Sequence, residues 1–534
     1  MKGKTKPNTT DCPALDDAAS DCGTAETQAR EYFEGLLLRC RQNTSTFAVF
    51  ETFLWKGMLI LGAMLVRLFL IARHEKLQQR AEPPPAGYRL GNPFARRILK
   101  TAFGKICYAR THLICIKKGG NGYHPLDVEL GLTRDGFSPW VIGFVTRLST
   151  RMSFAASRRL CHAVVGWAPS TDSIEQLVLG LGRQAAPFVR QQAAPDNDGE
   201  VLVIEVDGKC PPTATEEELR KRRGKRQKPK APCGYSCQQS KPGGGPCLCQ
   251  RHRGHQKRKK RGSKKRRKKG DKSKNGKEVV LVVMYTLKRG EDGRLHGPLN
   301  KKVFGSFGGR KRAATWARLE ATKRGFGPET TNTVQVVVDG ASGLKSNLEE
   351  LFPTAIFTVD VCHVVEKLWD LGHCFHAEGS EELKAQVNEW KELVYAGRAK
   401  ELLTRLRKLQ DQVPQNGPGT KGKRRGLKRV IGYIEPRMSM MQYAKWREQD
   451  LVIASGQVEG AVRHVVGERL DCSGMRWIRG RAEALLQLRC IELNGDWDEF
   501  IDWSQWQCHK KLLDRQAVLI RSDKPLECDF GLAA

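Results

Sequence analysis

Between residues 334 and 369 the chain reads VQVVVDGASGLKSNLEELFPTAIFTVDVCHVVEKLW, and few architectures accommodate that order. Val334, Val336, Val337 and Val338 form a nearly continuous β-branched run, the pattern of a strand buried on both faces, and Asp339-Gly340 stands where it stops. Residues 344–352 then have helical spacing, Pro353 breaks it, 355–359 make a second strand and 361–371 start a second helix. A βαβα unit this short predicts neighbouring parallel strands, and an acid at the carboxyl end of such a strand commonly faces a site.

The same strand-then-Asp-Gly arrangement occurs earlier, where VLVIEV at 201–206 runs into Asp207-Gly208. Strands are also predicted over 278–287 and 301–307, and an amphipathic helix over 310–324 leads into the Val334 strand. Setting aside the basic segment 220–277 leaves strand, strand, strand, helix, strand, helix, strand, the order of a ribonuclease H-like α/β domain. Residues 379–450 are helical in character and interrupt it; the chain returns at 453–469 with an amphipathic helix bearing Glu459, followed by a further helix from Arg481.

The 534 residues carry a net charge of +34, unevenly distributed. Residues 220–277 hold 25 Lys or Arg against one acid, Asp271, and so contribute +24 of it. Such a block favours polyanions through counterion release, which makes nucleic acid the expected partner and predicts steep weakening with salt. The same segment holds Cys233, Cys237, Cys247, Cys249, His252 and His255, enough ligands for a small structural Zn2+ knuckle. The competing reading is a disordered basic arm. Cys107 and Cys115 have no nearby second pair and are read as thiols on strands.

Seventeen scattered cysteines and an N-terminus without an apolar core predict reduced thiols and no signal peptide. The stretch 47–72 is the most apolar, but Glu51, Lys56 and Arg67 interrupt it, so a buried helix is expected there and no membrane span. Residues 149–165, the turn GWAPSTD and residues 173–181 have the outline of a helix-turn-helix, with Ser170 or Thr171 as N-cap. The expected organisation is a flexible N-terminus (1–28), a helical region (29–100), and a hairpin with a helix-turn-helix-like DNA-binding region (101–195). A catalytic domain (196–495) follows, with insertions at 220–277 and 379–450, and then a C-terminal tail (496–534).

Two strand-end aspartates and a helix-borne glutamate have the chemistry to hold two Mg2+ or Mn2+ ions for phosphoryl transfer. Taken singly, each Asp-Gly is more readily a turn. The wording of the C-terminal half adds to this: EVDGK (Glu205 to Lys209), VVDGASGL (Val337 to Leu344), FPTAIFTVDVCHVVEKLW (Phe352 to Trp369) and SGQVEGAVRHVVGERLDCSGMRW (Ser455 to Trp477). Over roughly residues 120–500 the chain resembles the ISKra-type family of bacterial insertion-sequence transposases, relatives of the Mutator-like DDE enzymes. The basic segment departs from that family's pattern.

The resemblance implies Asp207, Asp339 and Glu459 as the catalytic, metal-holding acids, with Asp360 a rival or auxiliary acid. It implies double-stranded DNA as partner and substrate, a homo-oligomer assembled on that DNA, and action in the bacterial cytoplasm at the nucleoid. Cys362 and His363 match the position of a Cys-His motif and are read either as DNA contacts or as a packed helix start. Arg469, Arg476 and Trp477 are candidates for gripping phosphate and stacking on a base. The alternatives are an inactive DNA-binding derivative, a nuclease on the same fold that does not join strands, and a basic nucleic-acid chaperone.

Overall fold

The computed structural model describes residues 21–80, 82–117, 120–220, 276–340, 342–472 and 475–521. The candidate zinc ligands Cys233, Cys237, Cys247, Cys249, His252 and His255 lie outside the described residues. The chain divides into two compact units, Met1–Arg190 with Gly495–Ala534, and Gln191–Asn494.

The first unit opens with an α-helical hairpin, α1 (Cys22–Gln42) and α2 (Phe47–Gln79). The Asp21 side chain caps α1 by accepting from the Thr24 amide at 2.7 Å, so residues 22–28, expected as part of a flexible segment, are helix. The helices approach closely where Gly57 faces Leu36; a Cβ there would lie 2.7 Å from a Leu36 methyl. Helix α2 corrects the expectation of a buried helix. One face is buried, including Leu61, Leu70, Arg67 and His74, while Phe47, Trp55, Leu65 and Phe69 are each more than half exposed. By length and composition α2 is apolar enough to cross a membrane, and a third of its most apolar window is buried.

Strands β1 (Tyr88–Leu90) and β4 (Leu113–Cys115) pair with each other, as do β2 (Ala95–Thr101) and β3 (Gly104–Arg110). The β2–β3 hairpin straddles the expected region boundary at residue 100, because the Arg97–Tyr108 and Leu99–Ile106 pairings join the two sides. Its inward face, with Leu99, Ile106 and Tyr108, packs with Ala63 and Leu70 of α2.

Helices α3 (Pro125–Glu129), α4 (Pro139–Arg151), α5 (Phe154–Val165) and α6 (Thr171–Gln191) follow. The predicted single helix over 149–165 is broken at Ser153, whose hydroxyl caps α5. Gly166, at φ 77°, ends α5, and Ser170 caps the next helix through the Ser173 amide at 3.0 Å. The expected C-terminal tail is instead mostly helix (Trp497–Arg521), because its apolar face has a partner: Phe500 is fully buried with its ring 5.2 Å from that of Phe188, and Ser504 donates to Gln184 at 2.9 Å.

The second unit is built on a five-stranded mixed sheet. Its strands are β5 (Val201–Lys209), β6 (Val279–Arg289), β7 (Leu295–Ser306), β8 (Thr333–Val338) and β9 (Ile356–Val359), in the spatial order β7-β6-β5-β8-β9. β6 runs antiparallel to β5 and β7, whereas β5, β8 and β9 are parallel. Helix α7 (Arg310–Lys323) links β7 to β8, and α8 (Ser342–Leu351) links β8 to β9. The order is the predicted strand, strand, strand, helix, strand, helix, strand. Residues 201–204 and 279–285 are buried throughout, which explains runs of Val, Ile and Leu without alternation.

The basic segment lies between β5 and β6. The bridge Pro212–Gly276 joins the chain just before this segment to its last residues, so the chain leaves and re-enters the sheet at one place. After β9 come α9 (Val361–Gly372) and the helical insertion: α10 (Glu381–Tyr395), α11 (Ala399–Gln412), α12 (Thr420–Ile434), a 3-10 stretch (Glu435–Met440) and α13 (Tyr443–Glu448). Helix α12 gives way to the 3-10 stretch where Pro436 stands. The chain returns as α14 (Gly456–Ala461), a π-helical turn (Val462–Gly467) and α15 (Arg479–Leu493), the last hydrogen-bonding β7 through Gln487 and the Gly305 carbonyl at 2.7 Å.

Candidate active site

Register brings three aspartates to one edge of the sheet. Val206 pairs with Val338, and Val338 with Val359, on three adjacent parallel strands. The next residues along the chain are Asp207, Asp339 and Asp360. Parallel strands align like ends, so three carboxylates project from equivalent positions on neighbouring strands about 4.8 Å apart.

Each is held differently. Asp207 is half-buried and its Oδ1 accepts from the Gly208 amide at 2.6 Å. Burial raises its pKa, and the negative charges of Asp339 and Asp360 add to that rise. Asp339 begins a tight turn: Gly340 has φ +84°, and a Cβ there would lie 2.6 Å from Arg437 Nε. Tyr433 donates to the Asp339 carbonyl at 2.9 Å and Arg437 to the Gly340 carbonyl at 2.9 Å, so the helical insertion clamps this turn. The Asp-Gly pair is therefore both a turn and a presented acid.

Asp360 is fully buried and caps α9 through the Cys362 amide at 2.8 Å. Its second oxygen accepts from Ser455 and lies 3.0 Å from His363 Nδ1. Burial alone would raise the Asp360 pKa; the bonds from His363 and Ser455 outweigh it and hold the carboxyl below its ordinary value. The bond to Asp360 in turn pushes His363 up to about 8.

Glu459, on α14, is exposed and sits 3.9 Å from His363 Nδ1. Burial of part of the side chain and then Asp360 raise its pKa. Two buried residues absent from the expected site set its helix in place. Glu205, on β5, accepts from the Val458 amide at 2.8 Å and from the Tyr285 hydroxyl at 2.7 Å. Gln335, buried in β8, accepts from the Val452 amide at 3.0 Å and donates to Thr358 Oγ1 at 2.8 Å. Polar residues inside an otherwise apolar strand run were the signal for both.

The ligand atoms of Asp360, His363 and Glu459 lie within 4.8 Å of one another, the one such trio of metal-ligating types among the described residues. Asp207 and Asp339 stand close enough to act on this trio electrostatically but outside that mutual distance. The expected set Asp207, Asp339 and Glu459 thus shares its end of the sheet with Asp360 and His363, which sit nearer to Glu459. The hard carboxylate oxygens of this cluster suit Mg2+ or Mn2+, whereas His363, bonded to Asp360 and raised to about 8, is a neighbouring cation and no ligand at neutral pH.

Arg469 and Trp477 are placed differently from expectation. Arg469 is 1% exposed, its guanidinium lies 4.9 Å from the Trp477 ring centre, and burial followed by Arg489 lowers its pKa to about 10. The Trp477 indole donates to the Leu470 carbonyl at 3.1 Å, and its backbone bridges Thr213 beside the root of the basic segment. Arg469 is sealed from solvent beneath Trp477, and Trp477, itself part-buried, ties that root to the chain. Arg476 and Cys362 are exposed; Ser473 and Gly474 of the same motif lie outside the described residues.

No family model and no curated protein matches the chain. Among solved structures, the Drosophila P element transposase strand transfer complex aligns with 70% of this chain and 95% of its own, at 12% identity and a TM-score of 0.28. So distant a likeness leaves the site to be argued from its own geometry.

Proposed function

We propose that the chain is a DNA transposase of the ISKra type, with a ribonuclease H-like catalytic domain that cleaves element ends and transfers the freed 3'-hydroxyls to target DNA. The observation that carries this reading is the alignment of Asp207, Asp339 and Asp360 at one edge of three parallel strands, with Glu459 brought beside them by a helix from far along the chain. The 3-2-1-4-5 order of the sheet, with its second strand antiparallel, supports the fold.

Asp207, Asp339 and Glu459 would hold two Mg2+ or Mn2+ ions, with Asp360 completing the set. Bound there, such ions supply an activated water or 3'-hydroxyl and stabilisation of the leaving oxygen. The residues of the chain do the positioning. Glu205 and Gln335 fix the approach of the glutamate helix, Tyr433 and Arg437 fix the Asp339 turn, and Asp360 orients His363. His363, charged near neutrality, offsets part of the carboxylate repulsion and can donate to a phosphate oxygen.

The segment carrying +24 is rooted a few residues beyond Asp207, which would concentrate double-stranded DNA at the acids. Arg476 is exposed beside that root. The α5–α6 pair, with exposed Arg158, Arg159 and Arg183, is the candidate reader of element ends. Holding two ends together requires more than one protomer, and the site of action would be the bacterial nucleoid.

The test is cleavage and joining of DNA carrying the flanking element ends, with Mg2+ or Mn2+. Intact protein is expected to cut and join, while Asp207→Asn, Asp339→Asn and Glu459→Gln bind DNA and do neither. Cutting without joining of pre-cut ends identifies a nuclease, and binding without cutting under either metal identifies a non-catalytic derivative.

A further inference from the structure

The first unit contains a cavity that shares no residue with the carboxylate cluster. Residues of β2, β3, α3 and the C-terminal helix enclose a cavity of about 490 Å3, within the range that takes small organic ligands. Its charge is unbalanced. Arg97, Arg110 and Arg134 line it, and the one acid among the lining residues is Asp127. That acid is already engaged: Arg97 Nη1 approaches one oxygen at 2.7 Å, Arg110 the other, and the Tyr108 hydroxyl donates to it at 3.3 Å.

Three guanidiniums against one carboxylate leave a surplus of two positive charges, the charge of a phosphate monoester with opposite sign. Arg97 and Arg110 are largely buried, with side chains 7% and 15% exposed, so solvent does little to offset one of these charges, while the other, on Arg134, is exposed and open to an incoming anion. Arg110 also keeps a buried N–H, on Nε, that has no partner among the described residues. Burial, and then Arg97, push Arg110 down to about 10; burial, and then Arg110, push His124 down to about 4. Both shifts have the direction expected where positive charge is crowded and unmatched.

The rest of the lining suits a flat ring. His112 and His124 lie 4.8 Å apart at 32°, Tyr123 adds a third ring, and Val128, Leu132 and Leu512 supply apolar surface. His124 donates from Nδ1 to the Thr111 carbonyl at 3.1 Å, which leaves Nε2 free to accept.

We propose that this cavity binds a nucleoside phosphate, free in solution or as the 5'-phosphorylated terminus of a nucleic-acid strand. The arginines take the phosphate, and the histidines, Tyr123 and the apolar wall take the base. The assignment stands independently of the transposase reading, since it uses no residue of the carboxylate cluster.

The test is calorimetric titration of the full-length protein with AMP, adenosine and inorganic phosphate at a salt concentration that suppresses binding to the basic segment. AMP is expected to bind at least about tenfold more tightly than adenosine or phosphate alone. Arg134→Ala, an exposed change, should weaken AMP about tenfold, and Leu512→Trp, which fills the cavity, should abolish its binding. Competition with a trinucleotide decides the source. Displacement of AMP by the 5'-phosphorylated form and not by the 5'-hydroxyl form assigns the site to strand ends, whereas displacement by neither assigns it to free nucleotide. Absence of AMP binding, or AMP binding unchanged in both variants, overturns the proposal.

Discussion

Removing one acid from the sheet edge should stabilise the protein when divalent cations are absent and reduce the stabilisation they confer when present. Asp207, Asp339, Asp360 and Glu459 place four carboxylates around the single imidazole of His363. With all four ionised and His363 protonated, the cluster carries a formal charge of −3. Two carboxylates about 6 Å apart on neighbouring strands repel by about 3 kcal/mol at an effective dielectric of about 20. The partial exposure of Asp207 reduces that to about 1 kcal/mol. Asp207→Asn keeps an oxygen able to accept from the Gly208 amide, so little is lost against the gain. A gain of this size corresponds to a rise of about 2 °C in Tm for a unit of this length. A divalent cation at about 100 times its Kd should stabilise the intact protein by about 2.7 kcal/mol, and Asp207→Asn by clearly less. The order of the two proteins then reverses between EDTA and Mn2+. Thermal unfolding followed by tryptophan fluorescence measures this, with Trp316, stacked on Phe304, reporting from the same unit. A variant less stable than the intact protein in EDTA, with the same response to Mn2+, would show that Asp207 is a structural turn residue.

Two further predictions concern buried polar groups of the second unit. Asp198 accepts from Arg324 Nε at 2.6 Å and Nη2 at 2.7 Å; burial alone would raise its pKa, but the bonds from Arg324 and Thr286 outweigh this and hold it low. A depressed folded pKa means that the contribution is complete above the unfolded value of about 3.9 and is lost as pH falls through the folded one. Asp198→Ala should therefore lose about 3–5 kcal/mol in urea unfolding at pH 7, with the deficit shrinking as pH falls below the unfolded value; a deficit independent of pH contradicts the ion pair. Glu205→Leu leaves the Val458 amide and the Tyr285 hydroxyl buried without their acceptor, at a cost of about 2–4 kcal/mol, whereas Glu205→Gln retains an acceptor and should lose less than half as much. Equal urea midpoints for the Leu variant and the intact protein would show that this carboxylate does not hold the glutamate helix.

Features set by local sequence are legible in it. The Val-rich run ending at Asp339 is β8, the VLVIEV run ending at Asp207 lies in β5, and the helices between β7 and β9 fall where apolar spacing and Pro353 place them. Those features follow from side-chain period and breaker residues within a few positions of each other. Arg469 shows the limit: a cation next to Gly- and Trp-containing sequence reads as a surface grip, yet the turn of its helix points it inward beneath Trp477. The segment after Asn494 likewise reads as peripheral until Phe188, from a distant helix, covers Phe500. Helix α2 is the opposite case, apolar in sequence yet covered on one face only, since apolar composition does not say how many neighbours a helix will have.

By itself the sequence determined the order of strands and helices in the sheet-bearing unit, and that two of the strands end in an acid, because backbone propensity and hydrophobic period act over short range. Only the tertiary structure decided which acids meet. Asp360 enters the cluster because β9 pairs in register with β8, and Glu459 enters because Glu205 and Gln335 bind the backbone around its helix. Register and helix placement are set by packing and hydrogen bonds between segments far apart in the chain, and no local pattern carries that information.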